Sequence, residues 1–161
     1  MGGGEIELIS NNWFNKIAMD HIAIMRKSWG LTDKILSGEK KIESRWYSAK
    51  FSPWDKIKKG DMVYFKNSGE QARIRSEVSK VLQFAGLNPK KVKEILYKYG
   101  KADGIENNKL SKFYARFKNK KYCILIFFGN SVEIKPLEIN KTGFGTMSAW
   151  ITIKKISKIK K

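Results

Sequence analysis

Cysteine and histidine each occur once in this 161-residue chain, as Cys123 and His21. A lone cysteine excludes an intramolecular disulfide and any zinc site built from several thiolates, and a reducing cytoplasm is the expected location. Cys123 falls inside "YCILIFF", where a buried thiol stays protonated and inert. His21 would have to serve any Ser/His/Asp arrangement by itself, and no G-x-S-x-G elbow is present to supply the nucleophile. A structural histidine at a strand end is the expectation. Acid is scarce as well: 15 Asp and Glu stand against 33 Lys and Arg, for a net charge of +18. Such an imbalance points to an anionic partner, nucleic acid first, because clustered cations bind phosphate and release its counterions. Long hydrophobic runs are missing. The longest, residues 122–128, falls far short of the ~20 residues a membrane helix needs. The start, "MGGGEIELIS", has neither the charged nor the apolar region of a leader, and Ile6 stands where a myristoylation signal carries Ser or Thr. No membrane attachment is expected. "TGFGTMS" has glycines but no phosphate-loop lysine, and reads as a turn.

What is present suffices for one folded domain. Hydrophobic residues make up 42% and aromatics 12%, unlike chains that stay disordered, and the length fits a single core. Residues 1–20 read as an N-terminal extension, in which Gly2, Gly3 and Gly4 are costly to order and Asn12 is placed to cap a short helix. Residues 21–161 read as one α+β domain. "HIAIMR" is rich in β-branched residues and reads as a strand. Leu31, Ile35 and Leu36 at helical spacing predict a short helix ended by Gly38. Strands follow at "KIESRWY" and at residues 62–66, separated by an irregular loop around Pro53. "ARIRSEVSKVLQF" alternates, with Ala72, Ile74, Val78 and Leu82 near one face and Arg73, Arg75, Glu77 and Ser79 on the other. Asn88 before Pro89 starts a helix running to Gly100, and "KLSKFYARFKNK" predicts a second. "KYCILIFFGN", "SVEIKPL" and "SAWITIKKI" read as closing strands. Short strands around a helical insertion imply a sheet that closes on itself. The insertion, at about residues 88–121, holds eleven Lys/Arg against three Asp/Glu, and residues 154–161 add five lysines with no acid. These segments form a phosphate track if they flank the site, and solvated faces if they lie away from it.

One stretch, "LSGEKKIESRW", concentrates charge around a glycine and ends in aromatics. In an extended strand Lys41, Glu43, Arg45 and Tyr47 project to one side and Ile42, Ser44 and Trp46 to the other. Neighbouring Glu43 and Arg45 let a carboxylate aim a guanidinium at a phosphate or a base edge, with Lys40 at the turn as a mobile point charge. Trp46, Tyr47 and Trp54 offer stacking surfaces, a contact worth about 1–3 kcal/mol per base. The alternative is structural: Glu43 and Arg45 neutralise each other on a barrel wall while Trp46 packs in the core. Trp29 and Trp150 have mostly apolar neighbours and read as core.

"GEKKIESR" matches the G-x-K-x-x-E-x-R signature of the ASCH domain, and the chain resembles that family. "SWGLTDKILSG" is similar to its helix before the motif, "IKKGDMVYF" to its G-D-x-V-x-F strand, and "VSKVLQFAGL" to its next strand and the start of the following helix. The resemblance covers residues 22–96. It implies a PUA-like α+β fold, a closed or partly open β-barrel with flanking helices. It also implies a cleft beside the motif that takes RNA, another single-stranded nucleic acid or a nucleotide. One amidohydrolase branch of the family deacetylates N4-acetylcytidine with a lysine, a threonine and a glutamate. Lys40 matches that lysine, but Glu43 stands at the threonine position, which removes the nucleophilic hydroxyl.

The expected nucleic-acid ligands are therefore Lys40, Lys41, Glu43, Arg45, Trp46, Tyr47 and Trp54, joined by Lys66, Arg73 and Arg75 on neighbouring strands. In the enzyme alternative, a metal-independent hydrolase of RNA or a modified nucleoside, Lys40 and Glu43 are the acid–base partners. Glu77 is a second carboxylate candidate, or a surface charge paired with Arg75. No cofactor or metal is expected, and the chain is expected to act as a monomer.

Overall fold

The computed structural model describes residues 17–145 and 148–161. The glycine run, the Asn12 cap, and Thr146 and Met147 of the "TGFGTMS" turn lie outside the described residues. The strands are β1 (Asp20–Met25), β2 (Ile42–Tyr47), β3 (Met62–Asn67), β4 (Ala72–Phe84), β5 (Tyr122–Leu137) and β6 (Trp150–Ile153). The helices are α1 (Leu31–Leu36), α2 (Pro89–Tyr99) and α3 (Leu110–Phe117). All six strands form one sheet in the order β2-β5-β4-β3-β1-β6. Neighbours pair antiparallel except β1 with β3, which run parallel. No helix among the described residues is long and apolar enough to cross a membrane.

Local chemistry accounts for the element ends. Gly38, at φ 83°, takes the left-handed conformation that follows α1. Asn88 caps α2, its Oδ1 accepting the Lys91 N–H at 2.8 Å, with Pro89 at the first helical position. Gly100 lies at the end of α2 with helical rather than left-handed backbone, φ −56°. A Cβ there would sit 2.5 Å from the Leu96 carbonyl oxygen and 2.6 Å from Leu110 Cδ2, so the glycine allows α3 to approach the end of α2.

Bulges curl the sheet. The β4–β5 ladder shifts register at three places along β4, between Ala72 and Ile74, Arg75 and Glu77, and Val78 and Lys80. Each extra residue bends the strand and increases its twist. The last shift also reverses the alternation: Ile74 and Val78 face the main core, whereas Leu82 packs in a second cluster on the opposite face. Leu82 therefore does not share a face with Ile74, as plain period-two alternation predicts. Residues 122–137, expected as two strands, form one. Asn130 at φ 51° is accommodated as a bulge opposite β4, a conformation asparagine tolerates better than most residues.

Three apolar clusters fill the molecule. The main core gathers Ala23, Ile35, Phe65, Ile74, Ile124, Ile126 and Trp150. The second lies between the sheet and the insertion, where Ile42 and Trp46 of β2 and Cys123 and Leu125 of β5 meet Val92, Leu96 and Leu110. Being covered on both faces, the first half of β5, residues 122–128, reads as an unbroken apolar run in the sequence. The third holds Ile22, Ile139, Ile151 and Ile159 beneath the C-terminal segment.

His21 is buried in β1, with Nε2 2.8 Å from Asp61 Oδ2, while its Nδ1 accepts the Trp150 indole N–H at 3.1 Å. The imidazole proton therefore sits on Nε2. Its role is structural, tying the β6 tryptophan to the turn before β3.

The outermost strands, β2 and β6, make no ladder with each other. The barrel is partly open, and one side chain crosses the gap. Arg45 of β2 donates from Nη1 to the Ala149 carbonyl at 3.0 Å, just before β6, and from Nη2 to the Ile24 carbonyl of β1 at 3.3 Å.

Candidate functional site

The turn between α1 and β2 drives the lysine of the motif inward. Gly38 bends the chain, the Lys40 N–H donates to the Lys34 carbonyl at 2.9 Å, and the Lys41 and Ile42 N–H groups both donate to the Ala102 carbonyl. Lys40 is 1% exposed. Its Nζ donates to Asp103 Oδ1 at 2.6 Å and to the carbonyls of Ile42 and Asp103 at 2.7 Å, and lies 3.0 Å from Glu43 Oε1. Lys40 is thus a buried brace between motif and insertion rather than a mobile point charge at the turn. Burial opposes its positive charge, but Asp103 and Glu43 outweigh that and raise its pKa above the ordinary lysine value.

Glu43 and Arg45 are neighbours, as alternation on one strand requires. Arg45 Nε and Nη2 each lie 2.7 Å from Glu43 Oε2, and the guanidinium carbon sits 5.0 Å from the Trp150 ring centroid. With Glu43, Ala149 and Ile24 as acceptors, Arg45 is largely satisfied within the protein. Burial favours a neutral Glu43, but Lys40 and Arg45 prevail and hold its pKa below the usual carboxylate value. Asp103 differs. Burial raises its pKa, Lys40 opposes this, and the Glu43 anion adds to the rise. Its Oδ2 accepts from the Ser44 hydroxyl at 2.5 Å, and Ser44 Oγ in turn accepts the Trp46 indole N–H at 3.1 Å. Two cations and two carboxylates therefore close a balanced network. Both carboxylates bind Lys40, and among the described residues no group of three or more His, Cys, Asp or Glu is placed to hold a metal.

This network forms the inner part of a cleft of about 360 Å³ running along the β2 edge. Because β2 is an edge strand, the cleft collects side chains from both of its faces, including Glu43, Ser44, Arg45, Trp46 and Tyr47. The opposite wall is aromatic: Trp29 after β1, and Phe113 and Phe117 of α3. The Trp29 and Phe113 rings meet edge to face at 5.1 Å, and Phe117 stacks on Trp46 at 5.2 Å with the planes 9° apart. Arg26, Arg116 and Lys120 line the outer part. The guanidinium carbons of Arg26 and Arg116 lie 5.2 and 5.3 Å from the Trp29 ring centroid. Among the described residues none of these three cations has a carboxylate within salt-bridge distance.

Other residues expected at the site divide. Tyr47 lines the cleft, with its hydroxyl donating to the Ser52 carbonyl at 2.9 Å. Trp46 lines it too but is only 7% exposed, and Phe117 covers one face of its ring. Lys41, Trp54, Lys66, Arg73 and Arg75 do not line it. Lys41 is exposed within the motif, and Trp54 packs edge-on against Tyr122. Lys66 is buried in β3, and that burial, reinforced by the nearby Lys141, lowers its pKa. Arg73 and Arg75 are exposed on β4, Arg73 in a 3.6 Å surface pair with Glu133. Glu77 is exposed on the same strand face. Of the two basic segments, the insertion contributes to the cleft and residues 154–161 do not.

Sequence reasoning missed Asp103, Arg26, Arg116 and Lys120, and assigned Trp29 to the core. Asp103 lies in a Gly/Asn-rich connection, and its one signal is being among only three acids in a strongly basic segment.

No protein-family profile matches the sequence, and no curated protein matches it significantly. Solved structures do match. A mutant of the ASCH protein from Zymomonas mobilis aligns over 86% of this chain and 93% of its own, with 10% identity and a TM-score of 0.62. The unmutated ASCH protein of that organism aligns over 82% and 85%, at 10% identity and a TM-score of 0.59. A second mutant aligns over 86% and 91%, at 12% identity and a TM-score of 0.61. At these identities the likeness speaks to architecture, and with the curled six-stranded sheet and flanking helices it establishes that this chain has the fold of the ASCH structures, an α+β architecture with a partly open barrel.

Proposed function

We propose that the chain binds RNA or another single-stranded nucleic acid by seating an unstacked nucleotide in the cleft. The observation that carries this reading is the division of charge in the cleft: a buried balanced network, an aromatic wall, and exposed or half-buried Arg26, Arg116 and Lys120, which among the described residues have no carboxylate within salt-bridge distance. A ligand that fits has a neutral polar head, a flat face and an anionic tail, which describes a nucleotide entering base first. The volume of about 360 Å³ lies at the small end of the ~300–1,000 Å³ range of ligand pockets and suits one residue of a strand. Single-stranded recognition of this kind uses stacking on aromatic or guanidinium planes, with cations on the backbone.

Filter binding of labelled single-stranded RNA at two salt concentrations tests the reading. Wild-type protein binds at low salt and weakens as salt rises, because each phosphate neutralised contributes about −0.7 to the logarithmic slope. Trp29→Ala loses about 5- to 150-fold, the equivalent of 1–3 kcal/mol of stacking, at both salts alike. Arg26→Ala instead reduces the slope. Absence of binding at low salt refutes the proposal.

A second reading, metal-independent hydrolysis of RNA or a modified nucleoside, draws on one contact. The Ser44 hydroxyl in the cleft donates to Asp103, whose other oxygen binds Lys40. That supplies a hydroxyl next to a carboxylate, one residue beyond the Glu43 position where the related chemistry uses threonine. Incubation with RNA and with N4-acetylcytidine in the presence of chelator decides it: product that Ser44→Ala abolishes supports hydrolysis, and unchanged substrates leave binding as the function.

A further inference from the structure

The cleft does not end at Trp29. A second hollow of about 180 Å³ adjoins it and shares Trp29, Leu31, Ile105, Phe113 and Arg116 as lining residues. Its far side carries Lys34, Lys109 and Lys112. Lys34 lies 3.5 Å and Lys109 4.0 Å from the single carboxylate of Glu106. Lys112 and Arg116 have no carboxylate within salt-bridge distance among the described residues.

We propose that the two hollows are consecutive nucleotide subsites, with Arg116 on the phosphodiester between them and Lys112 on the phosphate that follows. This rests on the reading of the first cleft as a nucleic-acid site and extends it from one nucleotide to a directional step of strand. Three features support it. Arg116 and Trp29 line both hollows, and the exposed Arg116 guanidinium lies 5.3 Å from the Trp29 ring centroid, beside a phosphodiester that would join nucleotides in the two hollows. The second hollow has half the volume of the first, room for a base or a ribose but not for a further stretch of chain. Arg116 lines both hollows and Lys112 only the second, so among the described residues each hollow has an exposed cation with no carboxylate within salt-bridge distance, as successive phosphates of a strand would require. A mononucleotide would fill the first hollow and leave Lys112 without an anion, although α3 presents it on the same helix as Arg116. Phosphate contacts of this type position a strand without reading its sequence, so base preference, where present, resides in the inner network of the first cleft.

Calorimetric titration of the full chain with four probes of each base tests this: the 5′- and 3′-mononucleotides, the dinucleoside monophosphate, and the tetranucleotide, as RNA and as DNA. The dinucleoside monophosphate carries less charge than a mononucleotide, yet it is expected to bind at least ten-fold more tightly. Arg116→Ala weakens every phosphate-bearing probe at least ten-fold. The double variant Lys109→Ala/Lys112→Ala weakens the tetranucleotide about ten-fold and leaves mononucleotides within two-fold of wild type. All three residues are exposed, and unchanged melting temperatures check that the variants fold. Equal affinity for mononucleotide and dinucleoside monophosphate overturns the two-subsite proposal while leaving the single-nucleotide cleft standing. A double variant that weakens mononucleotide and tetranucleotide alike, or an Arg116→Ala variant that weakens nothing, overturns it too. Failure of every probe, the tetranucleotide included, to bind at low salt refutes the nucleic-acid reading itself.

Discussion

Replacing Lys40 by methionine separates two accounts of the most charged turn in the chain. In one, the lysine reaches into solvent for a phosphate; in the other it is the cation around which the motif and the insertion assemble. The structure gives its ammonium two carboxylates, Asp103 Oδ1 at 2.6 Å and Glu43 Oε1 at 3.0 Å, and two backbone carbonyls, all out of water. Deleting one member of a buried pair typically costs about 3–5 kcal/mol, because the charge left behind is uncompensated. Here the cost falls near the lower end. Glu43 keeps Arg45, and Asp103, whose pKa burial already raises, can take up a proton. A loss of about 3 kcal/mol corresponds to a fall of roughly 6–12 °C in melting temperature for a domain of this size.

Urea denaturation at pH 7 with a parallel thermal scan measures the loss. The Lys40→Met/Asp103→Asn double variant then loses less than the sum of the single changes, by about 0.5–3 kcal/mol, since contacting residues are not additive. Methionine keeps the length of the side chain, so packing is disturbed little. The reasoning fails if Lys40→Met unfolds within about 1 kcal/mol of wild type while its RNA affinity loses the salt dependence of one cation, about 0.7 in logarithmic slope. That pattern is what a solvent-facing phosphate ligand would give.

Three further outcomes follow from the same geometry. Glu43 has a folded-state pKa below its unfolded value of about 4.3. Its contribution is therefore complete above that pH and lost on acidification through the folded value. The stability gap between wild type and Glu43→Gln, measured by urea melts from pH 7 to pH 3, should shrink below about pH 4, and a flat gap contradicts the assignment. Gly100→Ala places a methyl against a backbone carbonyl and Leu110, and should cost about 1–3 kcal/mol, as overpacked sites do; a neutral result would mean that α3 is free to move away. Cys123 is fully buried and its thiol pKa is pushed well above the ordinary value by that burial. It should resist a disulfide reagent at pH 8 until denaturant is added, and rapid labelling of folded protein would show β5 to be uncovered.

Much of the fold was legible because short-range chemistry decides it. Gly38 and Asn88 mark helix ends through backbone conformations and caps that depend on a few residues, and both are found where those residues stand. Alternation placed Glu43 beside Arg45 correctly for the same reason. It failed at Leu82, because a bulge between Val78 and Lys80 inserts a residue that no local composition announces. It failed again across "FGNS", where Asn130 absorbs a left-handed conformation within a continuous strand instead of ending it. The misplacement of Lys40 has a different origin. A lysine in a charged turn beside glycine reads as solvated, and only a partner 63 positions later, Asp103, makes its burial tolerable. Trp29 was assigned to the core from its apolar neighbours, whereas it is half-buried in the cleft wall because Arg26 and Arg116 lie against its ring.

These errors share a physical cause, and it bears on where binding energy comes from. The motif charges are met within the protein: Lys40, Glu43 and Arg45 with Asp103 of the insertion carry two positive and two negative groups, and their further contacts are to backbone carbonyls, the Ser44 hydroxyl and the Trp150 ring. A network so satisfied can shape a cavity and present a hydroxyl or a carboxylate edge to a base, but it contributes little long-range attraction for phosphate. On the proposed function that attraction comes from cations that have no carboxylate within salt-bridge distance among the described residues, and those lining the cleft are Arg26 beside β1 and Arg116 and Lys120 of the insertion region. Trp46 of β2 packs on Phe117 of α3, and Lys40 before β2 pairs with Asp103 in the connection before α3, so the motif and the proposed phosphate-binding cations of the insertion are separate sets joined through the second core cluster and this ion pair. Loss of the Trp46–Phe117 contact is then expected to shift Arg116 and Lys120 away from the cleft without altering the total charge. On the proposed function, affinity for single-stranded RNA would then fall while the motif residues Glu43 and Arg45 remained intact, so substitutions confined to those two residues would not by themselves test the proposed surface.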